Sequence, residues 1–238
     1  MTRRRFIADE FSDDRAALVG EHADHLVRVL RARVGQEFDV ATGSTVRRGK
    51  IVSVDGGRVD FELGEEVSAQ PLAEITLVLS IFKFDRMEWA IEKCTELGVA
   101  RIIPVIARRT DAHLAAASAR RVERWQRIVR LASEQSRRAV PPEIAAPVKV
   151  AEIFKVHPGL RIVLSESEDQ TLLPDAVKPI SAGGVLLAIG PEGGWTDDEL
   201  RSFQKAGWIS ASLGNTILRA ETAAIAATAI VSSALASL

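Results

Sequence analysis

The sequence predicts an α/β protein in which a mainly parallel sheet follows a small N-terminal β-barrel. Three observations lead there: short alternating strands up to about Val67, a change of period beyond Pro71, and two strand, glycine and helix junctions near the C-terminal end. Alternation with a period of two marks half-buried strands, whereas apolar runs separated by helical stretches mark buried parallel ones.

In the first part, Gln36–Ala41, Lys50–Asp55 and Arg58–Leu63 read as strands. Turns are placed at Gly35, Gly43 and Asp55-Gly56-Gly57, and a short helical piece over His22–Arg33 precedes them. A boundary is expected near Ser68-Ala-Gln-Pro-Leu, giving one domain over residues 1–70 and another over 74–238. In the second, Ile75–Ile81, Arg101–Ile106, Arg161–Ser165 and Val185–Ile189 are strands between helices, the pattern of a parallel sheet.

A helix is expected over Asp85–Leu97. Asp85 and Glu88 resemble a cap pair, Met87, Ala90, Ile91, Cys94 and Leu97 form its apolar stripe, and Gly98 ends it. Another, over Ala119–Arg138, buries Val122, Trp125, Ile128, Val129 and Ala132. The last stretch, Ala220–Leu238, is apolar but carries Glu221, Thr222, Thr228, Ser232 and Ser233, so it reads as a buried helix and not a membrane span.

Hydrophobic residues at 47% and charged ones at 26% suit a globular protein and argue against disorder. No apolar run of signal-peptide length opens the chain. The single cysteine, Cys94, has no internal disulfide partner, which suits a cytoplasmic protein. Neither it nor the four histidines show metal-ligand spacing, so no metal is expected. The net charge of −1 hides an uneven distribution: residues 101–138 hold ten arginines against three acids, a local charge of +7. So few acids cannot neutralise that surplus, which favours a phosphate-binding face over a merely solvated helix.

Gly190-Pro-Glu-Gly-Gly-Trp-Thr-Asp-Asp-Glu follows directly on an apolar strand. Gly193 and Gly194 permit close backbone approach to a ligand, and Thr196 with Glu199 forms the capping box of the next helix. The segment matches neither the dinucleotide nor the P-loop fingerprint, which weakens nucleotide readings. About twenty residues on, Leu213-Gly-Asn-Thr-Ile-Leu-Arg-Ala-Glu-Thr-Ala repeats the succession of strand end, turn and helix start; alone, it reads equally well as a turn with a local cap.

Together these two segments resemble the cofactor-binding pair of SPOUT methyltransferases, in the form found in RsmE-type 16S rRNA uracil-N3 methyltransferases. Similar too are Arg3-Arg-Arg-Phe, His25-Leu-Val-Arg-Val-Leu-Arg, Asp85–Gly98 and the stretch from Arg124 to Arg138, so the resemblance spans essentially the whole chain. Phe84 stands where the family often has glycine, and Asn215 where it often has proline or serine.

The resemblance implies a PUA-like RNA-binding barrel over residues 1–70 and, over 74–238, a SPOUT α/β domain whose C-terminal part threads a trefoil knot. S-adenosylmethionine would lie among Leu164, Ser165, Ile189, Gly190, Pro191, Glu192, Gly193 and Gly194, with Leu213, Gly214, Ile217 and Leu218 opposite and Thr222 and Ala223 closing the pocket. The implied reaction is methylation of uracil N3 in 16S rRNA of the small ribosomal subunit, by a homodimer. Arg219 would orient the base; Glu192 and Glu221 are the available acids, with Glu221 the candidate base. Phosphate contacts are expected from Arg3, Arg4, Arg5, Arg28 and Arg31, and from Arg108, Arg109, Arg120, Arg124, Arg137 and Arg138. The competing readings are a SPOUT enzyme for another rRNA or tRNA nucleotide, a non-catalytic RNA-binding assembly factor, and a nucleotide-dependent α/β enzyme.

Overall fold

The computed structural model describes residues 4–67, 74–155, 159–178 and 184–236. Arg3 and the boundary expected over Ser68–Leu72 lie outside the described residues. The chain forms two compact units, Met1–Pro71 with Arg130–Pro141, and Leu72–Val129 with Pro142–Leu238.

The first unit contains β1 (Arg5–Ile7), β2 (Glu10–Phe11), β3 (Arg15–Val19), α1 (Glu21–Asp24), a π-helical turn at His25–Val29, β4 (Glu37–Thr42), β5 (Thr45–Asp55) and β6 (Arg58–Glu66). Its strands pair in the order β1-β4-β5-β6-β3-β2. Strands β1 and β2 therefore end opposite edges of the path, yet only Ala8 and Asp9 separate them. Three residue steps reach about 11 Å, whereas a flat six-stranded sheet would hold its edges about 24 Å apart. The sheet must curl until its edges meet. Across that seam the Ala8 N–H donates to the Ala41 carbonyl and the Asp9 N–H to that of Ala17, both at 2.9 Å. Leu18, Leu26, Val40, Ile51, Val59 and Phe61 fill the interior.

The segment 130–141 adds polar anchors to this unit. Arg130 Nη2 lies 2.8 Å from Asp9 Oδ1, and Glu134 Oε1 accepts the Ile7 N–H at 3.0 Å. The Arg5 guanidinium donates to the Arg137 carbonyl. The helical piece expected to Arg33 stops at Val29, and Arg31 takes a left-handed φ of +52° that no helix continues through.

The second unit contains β7 (Ile75–Ser80), α2 (Phe84–Glu96), β8 (Arg101–Ile106), α3 (Ala112–Ser118), a 3₁₀ turn at Ala119–Arg121, and α4 (Val122–Gln135), whose last turns count with the first unit. There follow β9 (Glu143–Ile144), β10 (Val148–Lys149), α5 (Val150–Ile153), β11 (Leu160–Leu164), α6 (Leu173–Ala176), β12 (Val185–Ile189), α7 (Asp197–Lys205), β13 (Ile209–Ala211) and α8 (Ala220–Leu235). All strand pairs are parallel, in the order β10-β8-β7-β12-β11-β13, with β9 also on β8.

Burial on both faces explains the near-continuous apolar strands. Ile75, Leu77, Leu79, Val185 and Leu187 share one core with Met87, Ile91, Trp125, Ala224 and Val231 from α2, α4 and α8. Val78, Ile103, Val105, Leu186 and Ala188 share another with Trp195, Phe203 and Trp208.

Two local expectations need correction. Helix α2 starts at Phe84, and its N-cap Lys83 makes no side-chain cap bond. Asp85 therefore lies inside the helix and Glu88 beyond its N3 position, where Glu88 Oε1 accepts from Arg124 Nε at 2.8 Å. The helix expected from Ala119 is interrupted by the 3₁₀ turn, so α4 proper starts at Val122. Trp125, Val129 and Ala132 are buried as expected, while Val122 and Ile128 are only half-buried.

Candidate active site

Strands β12, β11 and β13 are neighbours in the parallel sheet, so the loops after their carboxyl ends converge. A crevice outside those ends is where open α/β sheets bind ligands. Here that crevice is a cleft of ≈ 1050 Å³, counting its open mouth, lined by Leu164–Ser167 after β11, Gly190–Glu192 and Gly194–Trp195 after β12, and Ser212–Gly214 with Thr216–Leu218 after β13. Ala220 and Ala223 of α8, Asp197 and Leu200 of α7, and Arg109 complete it.

The glycine loop is held by long-range contacts. Gly194 has φ +69°, a conformation that side chains with a Cβ rarely adopt, and its N–H closes a turn onto the Pro191 carbonyl at 2.8 Å. A Cβ on Gly190 would lie 3.2 Å from the Trp195 ring nitrogen, so glycine lets the indole pack against the loop. That indole N–H donates to the Leu164 carbonyl at 3.1 Å, tying the loop after β12 to the end of β11. Thr196 and Glu199 form the predicted capping box at the start of α7. The Glu199 Oε1 also accepts the Arg108 N–H at 2.8 Å.

Twelve of the fourteen residues expected around a cofactor line this one cleft; Gly193 and Thr222 do not. Gly193 faces Arg109 instead, whose Nη1 donates to the Gly193 carbonyl at 2.6 Å and to that of Trp195 at 3.3 Å. Thr222 is exposed. Glu166, Ser167, Trp195 and Asp197 also line the cleft and were not anticipated. Trp195 and Asp197 stood within the quoted glycine motif, but side-chain direction there depends on the turn.

Arg219 is the exposed N-cap of α8, between two lining residues, Leu218 and Ala220. Glu221 is buried, is absent from the lining, and has Oε1 3.7 Å from Arg86 Nε. The same arginine donates from Nη1 to Glu192 Oε1 at 2.9 Å. Arg86 stood in a quoted helix motif, yet no residue spacing pointed to these partners.

Of the arginines expected to face RNA, Arg4, Arg28, Arg31, Arg108, Arg120, Arg124 and Arg137 are exposed. Arg5 and Arg138 are not: they are 8% and 5% accessible, and burial pushes Arg138 down to about 10. Arg109 is exposed as well, but its Nη1 donates to the two loop carbonyls.

The cleft's chemistry excludes some ligands. Its lining carries three carboxylates, Glu166, Glu192 and Asp197, and a single arginine, Arg109, whose Nη1 serves two loop carbonyls. A polyphosphate would meet like charge there. Leu164, Ile189, Ile217 and Leu218 supply apolar wall, and the loops supply backbone groups, so the donor set fits a ligand joining an aromatic base to a cationic end.

A sequence model of the RNA methyltransferase domain matches residues 68–232. The ribosomal RNA small subunit methyltransferase E of Synechocystis is 36% identical over 207 residues, covering 84% of this chain and 66% of that protein. The same-named protein of Mycobacterium bovis is 30% identical over 237 residues, 95% of this chain and 90% of its own. A crystal structure of the Neisseria gonorrhoeae ribosomal RNA small subunit methyltransferase E bound to S-adenosyl methionine superposes with a TM-score of 0.85 at 30% identity, covering 98% of both chains.

Proposed function

The chain belongs to the RNA methyltransferase family, in its ribosomal RNA small subunit methyltransferase E group, and on that premise we propose that it methylates N3 of a uridine in 16S rRNA. As a member of that group it is an S-adenosylmethionine-dependent rRNA methyltransferase. One observation carries the reading to these residues: two glycine-containing segments about twenty residues apart form a single cleft at the carboxyl ends of parallel strands β12 and β13, on either side of β11.

In this reading the apolar wall and loop backbone hold the adenosine part of S-adenosylmethionine. The carboxylates at the rim favour its cationic methionine end. When bound, the donor supplies a methyl group already activated by its sulfonium centre. The protein therefore has two tasks, to place N3 in line with that methyl and to let the N3 proton leave. Arg219, at the lip of the cleft, is suited to donate its planar fork to a uracil carbonyl where anionic charge develops. Glu221 faces Arg86 and does not line the cleft, so we assign it no proton-accepting role.

The curled N-terminal sheet is read as a PUA-like RNA-binding module and the parallel sheet as a SPOUT domain with a knotted C-terminal part. The half-buried side chains of Ala223, Ile225 and Ile230 on α8 fit a homodimer contact. Arg4, Arg28, Arg31, Arg108, Arg120, Arg124 and Arg137 remain the proposed phosphate contacts, and the cytoplasm, where ribosomal subunits are assembled, is the proposed location.

The test is methyl transfer from labelled S-adenosylmethionine to unmodified small ribosomal subunits and to free 16S rRNA, followed by nucleoside mapping. Formation of 3-methyluridine at one position supports the reading. A different methylated nucleoside would overturn the target while leaving the family intact.

A further inference from the structure

Arg86 sits in the first turn of α2, where the helix dipole disfavours a cation, so other groups must hold it there. Two carboxylates do so. Its Nη1 bonds to Glu192 Oε1 at 2.9 Å, and its Nε stands 3.7 Å from Glu221 Oε1. Glu221 is only 5% accessible, and its Oε2 is buried with no hydrogen-bond partner among the described residues. An ionised carboxylate so placed requires a countercharge, and Arg86 is the cation found within ion-pair distance.

The two acids belong to elements that form different walls of the cleft, although only Glu192 lines it. Glu192 is in the lining loop after β12; Glu221 directly follows Ala220, a lining residue in the first turn of α8. The far end of the glycine loop is fixed by Arg109 and by the Trp195 indole. Its near end, at Glu192, is fixed from α2 by Arg86.

We propose that Arg86 is a positioning residue for the methyl donor, clamping the glycine loop to the start of α8 so that both walls are set before the donor arrives. The inference rests on the donor assignment above. Arg86 meets the two acids with separate nitrogens of one rigid fork, Nη1 toward Glu192 and Nε toward Glu221, whereas a lysine would have to reach both from a single ammonium on a flexible stem.

Calorimetric titration with S-adenosylmethionine, paired with steady-state kinetics, tests the clamp. Arg86→Gln should weaken donor binding roughly ten- to hundredfold, the usual range for losing a charged hydrogen bond. The loss should appear in the donor KM, with kcat at saturating donor little changed, and Arg86→Lys should restore it only in part. Since Arg86→Gln strands a buried carboxylate, Arg86→Gln/Glu221→Gln removes both charges and guards against misfolding. If Arg86 acts by holding Glu192, the affinity loss persists in that pair. It should also fail to add to the loss caused by Glu192→Gln. Wild-type affinity in Arg86→Gln/Glu221→Gln would reduce Arg86 to a counter-ion and overturn the clamp. A wild-type chain that binds no donor would overturn the donor assignment itself, and the clamp with it.

Discussion

Replacing Gly194 by alanine should damage the cleft more than the fold. The residue holds φ +69°, and a Cβ there would lie 3.0 Å from Glu166 Oε1 and 3.9 Å from Arg109 Nη1. A left-handed conformation costs a residue with a Cβ about 1–2 kcal/mol. The stiffer unfolded chain offsets about 0.4–1 kcal/mol of that. A net loss of about 1 kcal/mol corresponds to a Tm lower by about 2–4 °C in a chain of this size. The contact with Glu166 adds little to stability, because a flexible carboxylate can swing away. It does, however, displace a side chain that lines the cleft. Donor binding should therefore fall further than the melting temperature suggests. Gly194→Asn, which tolerates left-handed φ, should recover the Tm but not the affinity, because its Cβ meets Glu166 as well. Thermal denaturation and donor titration on the three proteins check this. An alanine variant with unchanged Tm, or an asparagine variant as unstable as alanine, would refute the backbone argument.

Other consequences follow from burial and charge. Cys94 is fully buried, accepts from Thr228 Oγ1 at 3.4 Å, and has its thiol pushed up to about 12 by burial. It should resist alkylation at pH 8 in the folded protein and react only after unfolding; rapid native labelling contradicts the packing. Burial also raises the Glu134 carboxyl above its usual range, so the folded state holds that proton more tightly than the unfolded state. Its favourable contribution is present at low pH and is lost as pH rises through the raised value. Glu134→Gln keeps an acceptor for the Ile7 N–H and cannot ionise. Relative to wild type, the variant should gain stability as pH rises from the ordinary glutamate range through the raised value, and urea melts showing a pH-independent gap would contradict this. For RNA, Arg108→Gln and Arg120→Gln should each weaken binding and lower the salt slope by about 0.7–0.9 per lost phosphate contact. Arg138→Gln should lower Tm and leave that slope unchanged. Equal slopes for all three variants would remove Arg108 and Arg120 from the RNA face.

The elements read most accurately from sequence are those specified by neighbours in the chain. Strand β12 is an unbroken apolar run, and the Thr196 capping box needs residues three apart. Helix α2 carries its stripe of Met87, Ala90, Ile91 and Cys94 at helical spacing, and all four are buried. By contrast β9, β10 and β13 have two or three residues each, too few to display a period. The curled sheet's need for residues 130–141 was likewise absent from local pattern, because that segment meets Ile7 and Asp9 more than 120 positions away.

Charged side chains divide along the same line. A surplus of arginine marks a basic region, but it does not say which arginines face water. Arg138 is buried and Arg109 bonds to loop carbonyls 84 and 86 positions distant, while Arg120 remains exposed. Arg86 reaches Glu192 across 106 positions. The sequence by itself determined the α/β class, the parallel strands and the two glycine segments of the cleft, because period, capping and turn formation act over a few residues. Only the tertiary structure decided which arginines hold the cleft together and which are left exposed, because a long, flexible cation pairs through space with whatever acceptor the fold brings near.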